Sequence, residues 1–329
     1  MRREAEMERR GLRGKLIVSA GVIVLFFLPV LFKSSDYVFH TLNMIAYYTI
    51  AVTGLNILLG YTGQISIGHA ALFAIGAYTS ALLALKFGFS AFLLIPLSGL
   101  AAAVVGFFMG AACLRLKEIY LAMGTIGLGG AVEGVIINWD TLTGGSMGLL
   151  GIPYLRVGSF VFNTQYRQYF LVYPIMIFLL LVARGIISSR FGRAMMAIRE
   201  DAIAAASYGI DTTGYKLLAF TLSAFYGGIA GSLFAHSTGI LFPDHFSMEV
   251  SILLLMMVVI GGRGTISGSI MGAALMTAGF EFLRGLKEFQ MVIYGILLVF
   301  FILFMPQGIM GSLLMRKDRI LLWLGWERK

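Results

Sequence analysis

Apolar runs near 20 residues recur along the whole chain, and they restrict its fold more than any other feature. Such a run matches one helix crossing a hydrocarbon core of about 30 Å. "KLIVSAGVIVLFFLPVLF", "FLVYPIMIFLLLV" and "MVIYGILLVFFILFMP" are the clearest. Inside lipid every backbone polar group needs a partner within the protein, which leaves helices and closed barrels. A barrel would show segments of about ten residues alternating polar and apolar, and the sequence lacks them. The chain therefore reads as an all-α polytopic membrane protein. Only 12% of the 329 residues are charged, about half the share usual in a soluble domain. The 41 glycines agree, because small residues let membrane helices approach closely where lipid supplies no hydrophobic drive between them. The single Cys113 excludes an internal disulfide.

Hydropathy places about ten crossings in one membrane domain: 16–32, 37–60, 66–86, 90–114, 118–138, 168–188, 213–236, 247–262, 265–283 and 289–306. The first lacks a small-residue cleavage site and reads as a retained span. The third and ninth begin in "GYTGQISIGH" and "GGRGTISG", so each is either a complete span or a broken, re-entrant one. With both termini cytoplasmic, 19 of the 25 Lys and Arg residues fall inside and 6 outside, as the positive-inside rule requires. That division accounts for the net charge of +9 without nucleic acid. The basic arm 1–15 reads as an anchor on anionic lipid. Residues 139–167 become the long outer loop, and 189–212 the long inner one.

The inner loop contains "GRAMMAIREDAIAAASYGID", a soluble-looking stretch in an oily chain. Ala194 to Tyr208 holds six alanines and neither Gly nor Pro, which predicts a continuous helix. Gly209 stands where a left-handed residue would stop it, and Asp211, Thr212 or Thr213 can cap the next span. Met195, Ile198, Ala202, Ala205 and Ala206 share one face at helical spacing. Either this helix is a solvated connector, or its narrow alanine face docks into a groove on a partner. A lipid-surface anchor would carry Trp, Phe and Leu instead, so docking is favoured.

The same stretch resembles the cytoplasmic loop of bacterial ABC-importer permeases, specifically the LivM-like branched-chain amino acid subset. "LNILLGYTGQISIGHAALFAIGAY", "LTGGSMGLLGIP", "GGRGTISGSIMGA" and "MPQGIMG" are similar to further motifs of that family, in the same order. The general importer loop has Glu-Ala-Ala, three residues, then Gly. Here Ile203 replaces the Glu, a departure shared by the branched-chain subset. The resemblance implies a type II importer-like fold and half of a pore shared with a second homologous permease. It also implies two ATP-binding subunits and a periplasmic or lipid-anchored substrate-binding protein. It implies no cofactor, and no catalytic residue in this chain. No G-x-x-x-x-G-K-[ST] loop occurs, so this chain lacks that device for gripping ATP phosphates.

On this reading the coupling residues are Gly192, Arg193, Ile198, Arg199, Glu200, Asp201, Ala204, Ala205 and Gly209. The flanking spans are the levers of an alternating-access cycle. Candidates for the substrate pathway are Gln64, Ser66, His69, Thr125 and Glu133, polar groups at membrane depth, where an unpaired group is costly. Packing is the competing reading, and for Glu133 structural pairing is favoured. A local ion pair is expected between Glu281 and Arg284. Thr143, Gly144, Gly145, Arg156 and Arg167 are candidate contacts for the binding protein, as are His236, Asp244, His245 and Glu249. The last four lack the tight spacing of a metal site. A secondary transporter is the rival class, but it would place charged pairs mid-membrane, and Glu133 is the one strong candidate. A membrane enzyme is disfavoured by the lack of a nucleophile constellation. Urea, other amino acids and aromatic acids are alternative solutes.

Overall fold

The fold is described from a computed structural model covering residues 35–113, 118–157, 160–305 and 307–312. The basic arm 1–15 and the expected first span 16–32 lie outside the described residues. The long helices are α1 (Asp36–Thr62), α2 (His69–Phe87), α3 (Ala91–Cys113) and α4 (Glu118–Asn138). After the one-turn α5 (Asp140–Thr143) come α6 (Gln165–Ser188), α7 (Arg190–Glu200), α8 (Ala202–Ser207) and α9 (Thr212–Thr238). The chain continues through α10 (Met248–Gly261), α11 (Ile266–Phe282) and α12 (Lys287–Phe304). Among the described residues, seven helical stretches are long and apolar enough to cross a membrane, and Ile266–Phe282 is a shorter apolar helix. This is an all-α polytopic membrane protein; among the described residues the only strands are two-residue pairs in the loops.

The helix ends follow the local chemistry of the sequence. Ser35 caps α1 through Val38 N–H, and Asp36 places a negative charge on its first turn, where the helix dipole favours one. Asp211 caps α9 by accepting from Gly214 N–H at 3.0 Å, and Thr265 caps α11 through Gly268 N–H at 3.1 Å. α1 ends at Gly63 in the left-handed conformation (φ 75°), a position open to glycine at no steric cost.

The centre of the bundle is α1 and α9, whose most apolar windows are 78% and 72% buried, against 17% for α4 and 28% for α6. Small residues set that centre. A Cβ at Gly76 of α2 would lie 2.2 Å from Gly228 O of α9, and one at Gly228 would lie 2.5 Å from Ala102 Cβ of α3. A Cβ at Gly54 of α1 would meet Tyr226 Cβ at 2.6 Å. The helix backbones touch, so dispersion contacts replace the hydrophobic drive that lipid cannot supply.

The start of the expected third span is irregular. Gln64 to Gly68 is non-helical, yet Gln64 and Ser66 are buried. Backbone at such depth survives only if the protein satisfies it. Thr125 Oγ1 of α4 accepts from Ile67 N–H at 3.0 Å, and Ser251 Oγ of α10 accepts from Ala70 N–H at 3.0 Å.

At the end opposite α7, the long connection between α4 and α6 folds onto the bundle. β1 (Leu149–Leu150) pairs antiparallel with β4 (Ile240–Leu241), and β2 (Arg156–Val157) with β3 (Phe160–Val161). His236 Nδ1 lies 2.7 Å from Pro153 O. Facing a carbonyl, that nitrogen carries the proton, so a neutral imidazole accepts at Nε2 from Ser80 Oγ (2.8 Å), which accepts in turn from Ser232 Oγ (2.7 Å). Gln168 Nε2 donates to Phe162 O and Ser237 O, while its Oε1 accepts from Ser237 Oγ.

Candidate coupling site

The loop 189–212 is not one helix. α7 stops at Glu200, Asp201 is extended (φ −156°, ψ 110°), and α8 starts at Ala202. Propensity favoured continuity, but Asp201 turns its carboxylate onto the chain ahead. Oδ1 accepts from Ile203 N–H at 2.8 Å and Ala204 N–H at 3.0 Å. That is N-cap bonding, which competes with helix interior geometry for short polar side chains. Gly209 has φ 81°, and its N–H reaches Ala206 O (2.9 Å) while Ile210 N–H reaches Ala205 O (3.1 Å). This is the paired C-terminal closure that a left-handed glycine permits.

The expected alanine docking face also needs correction. Met195, Ile198 and Ala205 are buried against the protein's own body and Ala202 is half-buried, so most of that stripe fastens the loop to the bundle, while Ala206 is exposed. What stands free is different: Ile203 is 85% and Tyr208 88% exposed, beside exposed Glu200, Asp201, Ala204 and Gly209. The sequence reading missed Tyr208 and treated Ile203 only as a substitution. Two large apolar groups among charges in "REDAIAAASYG" were the available signal. Gly192 is buried, with no room for a Cβ, which would lie 2.0 Å from Ile187 O. Arg193 Nη1 donates to Ser188 O at 3.1 Å.

Arg199 reaches away from that exposed surface. Its Nη1 donates to Gly60 O in the last turn of α1, at 2.5 Å. Beside it, Asn56 ties α1 to the start of α11. Its Nδ2 donates to Thr265 O (2.8 Å) and Ser269 Oγ (2.9 Å), and its Oδ1 accepts from Gly264 N–H (2.8 Å). Burial, together with the like charge of Arg199, holds the Arg263 guanidinium below its ordinary pKa. Asn56 was missed. Its signal was a lone amide in the apolar run "LNILLG".

The structure gathers four of the five pathway candidates. Gln64, Ser66, His69 and Thr125 are all buried around the α1–α2 break. Thr125 satisfies Ile67 there, and a Cβ at Gly68 would lie 2.0 Å from Thr125 O. His69 faces α9, where a Cβ on Gly227 would come 3.4 Å from its Nε2. Glu133 stands apart from them, half-buried two turns further along α4. Glu281 Oε1 accepts from Tyr37 Oη at 2.5 Å, while the side chain of Arg284, its expected partner, lies outside the described residues.

Among the outer-loop candidates, Thr143, Gly144 and Gly145 build a turn. Thr143 is buried, its Oγ1 lying 2.6 Å from Ile136 O and 2.8 Å from Trp139 O. Gly144 and Gly145 have φ 76° and 56°. Arg167 bonds Val161 O and Asn163 Oδ1 and lies over the Phe160 ring, while Arg156 is exposed. His236 is fully buried, which removes it as a surface contact. The most exposed large apolar groups among the described residues of this loop are Met147 (83%) and Leu150 (63%).

Comparisons with known proteins bear on the family of the chain. Residues 37–302 match the family described as "branched-chain amino acid transport system / permease component". The chain is 32% identical over 319 residues to the high-affinity branched-chain amino acid transport system permease protein LivM of Salmonella typhimurium, covering 90% of this chain and 75% of that one. The Escherichia coli K12 protein of the same name is likewise 32% identical over the same shares. LivH of Escherichia coli K12 is 25% identical over 295 residues, 83% of this chain and 94% of that one. No solved structure matches. The chain thus belongs to the branched-chain amino acid transport system permease component family.

Proposed function

We propose that this chain is the non-catalytic, multi-pass inner-membrane permease subunit of an ATP-driven importer for branched-chain amino acids. It contributes half of the translocation pore, with a second homologous permease supplying the other half. Two ATP-binding subunits drive the pore, one of them docking on α7–α8, and a substrate-binding protein delivers leucine, isoleucine or valine to the opposite end. The chain crosses the membrane ten times, with both termini and α7–α8 in the cytoplasm. Similarity to proteins named LivM and LivH supports a paired permease.

The observation that carries the reading is the closed α7–α8 unit. It is capped at both ends, fastened by Met195 and Ile198, and leaves Ile203 and Tyr208 exposed. Exposing two large apolar side chains to water is unfavourable, and covering them in a groove of a partner removes that cost. The pathway residues proposed are Gln64, Ser66, His69, Thr125 and Glu133. At the delivery end, exposed Met147, Leu150 and Arg156 are better placed for contact than the inward-turned Thr143.

The test is leucine uptake into proteoliposomes holding the purified complex, with binding protein outside and ATP inside. Uptake that survives an uncoupler and stops when the ATP-binding subunits are inactivated is expected. Gradient-driven uptake by this chain alone would refute the assignment. Capture of urea or an aromatic acid by the cognate binding protein, in place of leucine, would redirect the substrate.

A further inference from the structure

Arg199 makes a contact that seating α7 does not require, since Met195 and Ile198 already bury that helix. Gly60 O belongs to the last turn of α1, where carbonyls run out of intrahelical partners. The amide four residues on, Gln64 N–H, bonds Leu58 O instead, at 3.3 Å. The Arg199 guanidinium fills that vacancy from another element, 139 residues away in sequence. The α10–α11 turn closes over the same group. Gly264 has φ 73°, and a Cβ there would lie 2.9 Å from Arg199 Nη1 and 3.1 Å from Gly60 O. Asn56 locks that turn to α1 through Gly264 N–H and Thr265 O. One cation therefore lies against both the α1 end and the α10–α11 turn, each approached at a glycine.

We propose that Arg199 is a positioning residue, a strut delivering displacement of α7–α8 to the α1 end and the α10–α11 turn. This rests on the importer reading and changes its mechanics. The flanking helices α6 and α9 are not the only levers. The α1 end leads directly into the irregular Gln64–Gly68 segment, so movement at Gly60 reaches the buried knot of Ser66, His69 and Thr125. An Arg placed only to grip an ATPase would point to the exposed surface shared by Ile203 and Tyr208. Arg199, though exposed, turns its Nη1 to Gly60 O instead.

The experiment measures leucine uptake and phosphate release on the same proteoliposomes of the full complex, and reads their ratio. Arg199→Gln should lower uptake per ATP about fivefold or more, the lower end of typical coupling effects. Arg199→Lys should recover part of it, since an ammonium can still donate to one carbonyl but lacks the planar fork. Gly264→Ala, which displaces the guanidinium without altering the Ile203–Tyr208 surface, should lower the ratio similarly. The double variant should fall no further than Arg199→Gln, because both changes break one contact.

A wild-type ratio in Arg199→Gln, or in Gly264→Ala, overturns the strut, as does a double variant whose losses multiply. Should the glutamine variant fail to assemble, Gly264→Ala decides alone: a lowered ratio supports the strut and a wild-type ratio overturns it. A wild-type complex that takes up no leucine with ATP overturns the importer reading and the strut with it. A working wild type with an unchanged variant ratio overturns the strut alone.

Discussion

Replacing Asn56 with leucine tests the claim that the α7 end is held by a few non-local bonds. Asn56 is 2% exposed, and leucine has nearly its shape, so packing volume is conserved while three hydrogen bonds vanish. Interhelical bonds between membrane helices average about 0.6 kcal/mol each, and typical protein hydrogen bonds contribute about 0.5–1.5 kcal/mol. The three bonds alone therefore sum to about 2–4 kcal/mol. The groups left behind are not equal. Gly264 N–H and Thr265 O are part-buried, so water replaces some of what they lose, whereas Ser269 Oγ is fully buried and stays unpaired. An unpaired buried group costs about 1–3 kcal/mol, which places the total near the upper end of that range. At about 1.4 kcal/mol per factor of ten, the unfolding equilibrium in mixed micelles should shift at least about 30-fold. The assay is reversible SDS unfolding of the purified chain, with Asn138→Ala as comparator. Asn138 is exposed and makes a local bond to Gly134 O, so its loss should stay within about 0.5 kcal/mol. If Asn56→Leu proves as stable as Asn138→Ala, the Asn56 clamp does not hold α1 to α11, and the strut built on it loses its anchor.

Two further outcomes follow from the packing. Gly228→Val forces a side chain into Ala102 Cβ and Ser98 O, which a Cβ would meet at 2.5 and 2.6 Å. Overpacking of this kind costs about 1–3 kcal/mol, so the variant should aggregate first on heating in detergent, while Gly127→Val, open on α4, should match wild type. His236→Ala removes the bonds to Pro153 O and Ser80 Oγ, and limited proteolysis should then cut within 139–164 several-fold faster. An unchanged cleavage rate would mean that β1–β4 pairing alone holds the loop.

Hydrophobic length fixed the helices well because it is a local property: the window Phe92–Cys113 lies within the expected 90–114, and Thr212–Thr238 covers the expected 213–236. The break before α2 was legible for a related reason, since Gly60, Gly63 and Gly68 crowd a short polar stretch. The inner loop was read correctly only where local rules decided. Gly209 stops α8 as a left-handed residue must, but the alanine-rich window gave no sign that Asp201 would cap a second helix. That break turns α8 relative to α7, so Ala205 faces the bundle and Ile203 and Tyr208 face away. A helical wheel drawn through the break still groups Met195, Ile198 and Ala205, but it does not show that this face packs on the bundle. The site itself was the least legible. Asn56 meets Gly264 across 208 residues and Arg199 meets Gly60 across 139, pairings that periodicity and propensity do not encode.

The two ends of the bundle are built from different chemistry, and this bears on which of them moves. At the β1–β4 end, buried neutral groups satisfy one another in closed chains: Ser232, Ser80, His236 and Pro153 in one, Gln168 with Ser237 and Phe162 in another. Such networks rigidify, because opening them strands several buried polar atoms at once. At the α7 end the links are a partly exposed guanidinium on a carbonyl, an asparagine on a glycine turn, and helix ends at Gly63 and Gly262. Water can take over the Arg199 guanidinium and Gly60 O as that contact parts, so opening it costs less than opening the buried chains at the other end. The buried Asn56 clamp, by contrast, stays costly to break. Local opening concentrates where backbone bonds are solvent-accessible and buried contacts few. Force applied at Ile203 and Tyr208 therefore enters the bundle at its compliant end. The proposed Arg199 strut joins that end to the α1 terminus, which leads into the buried polar break at the head of α2.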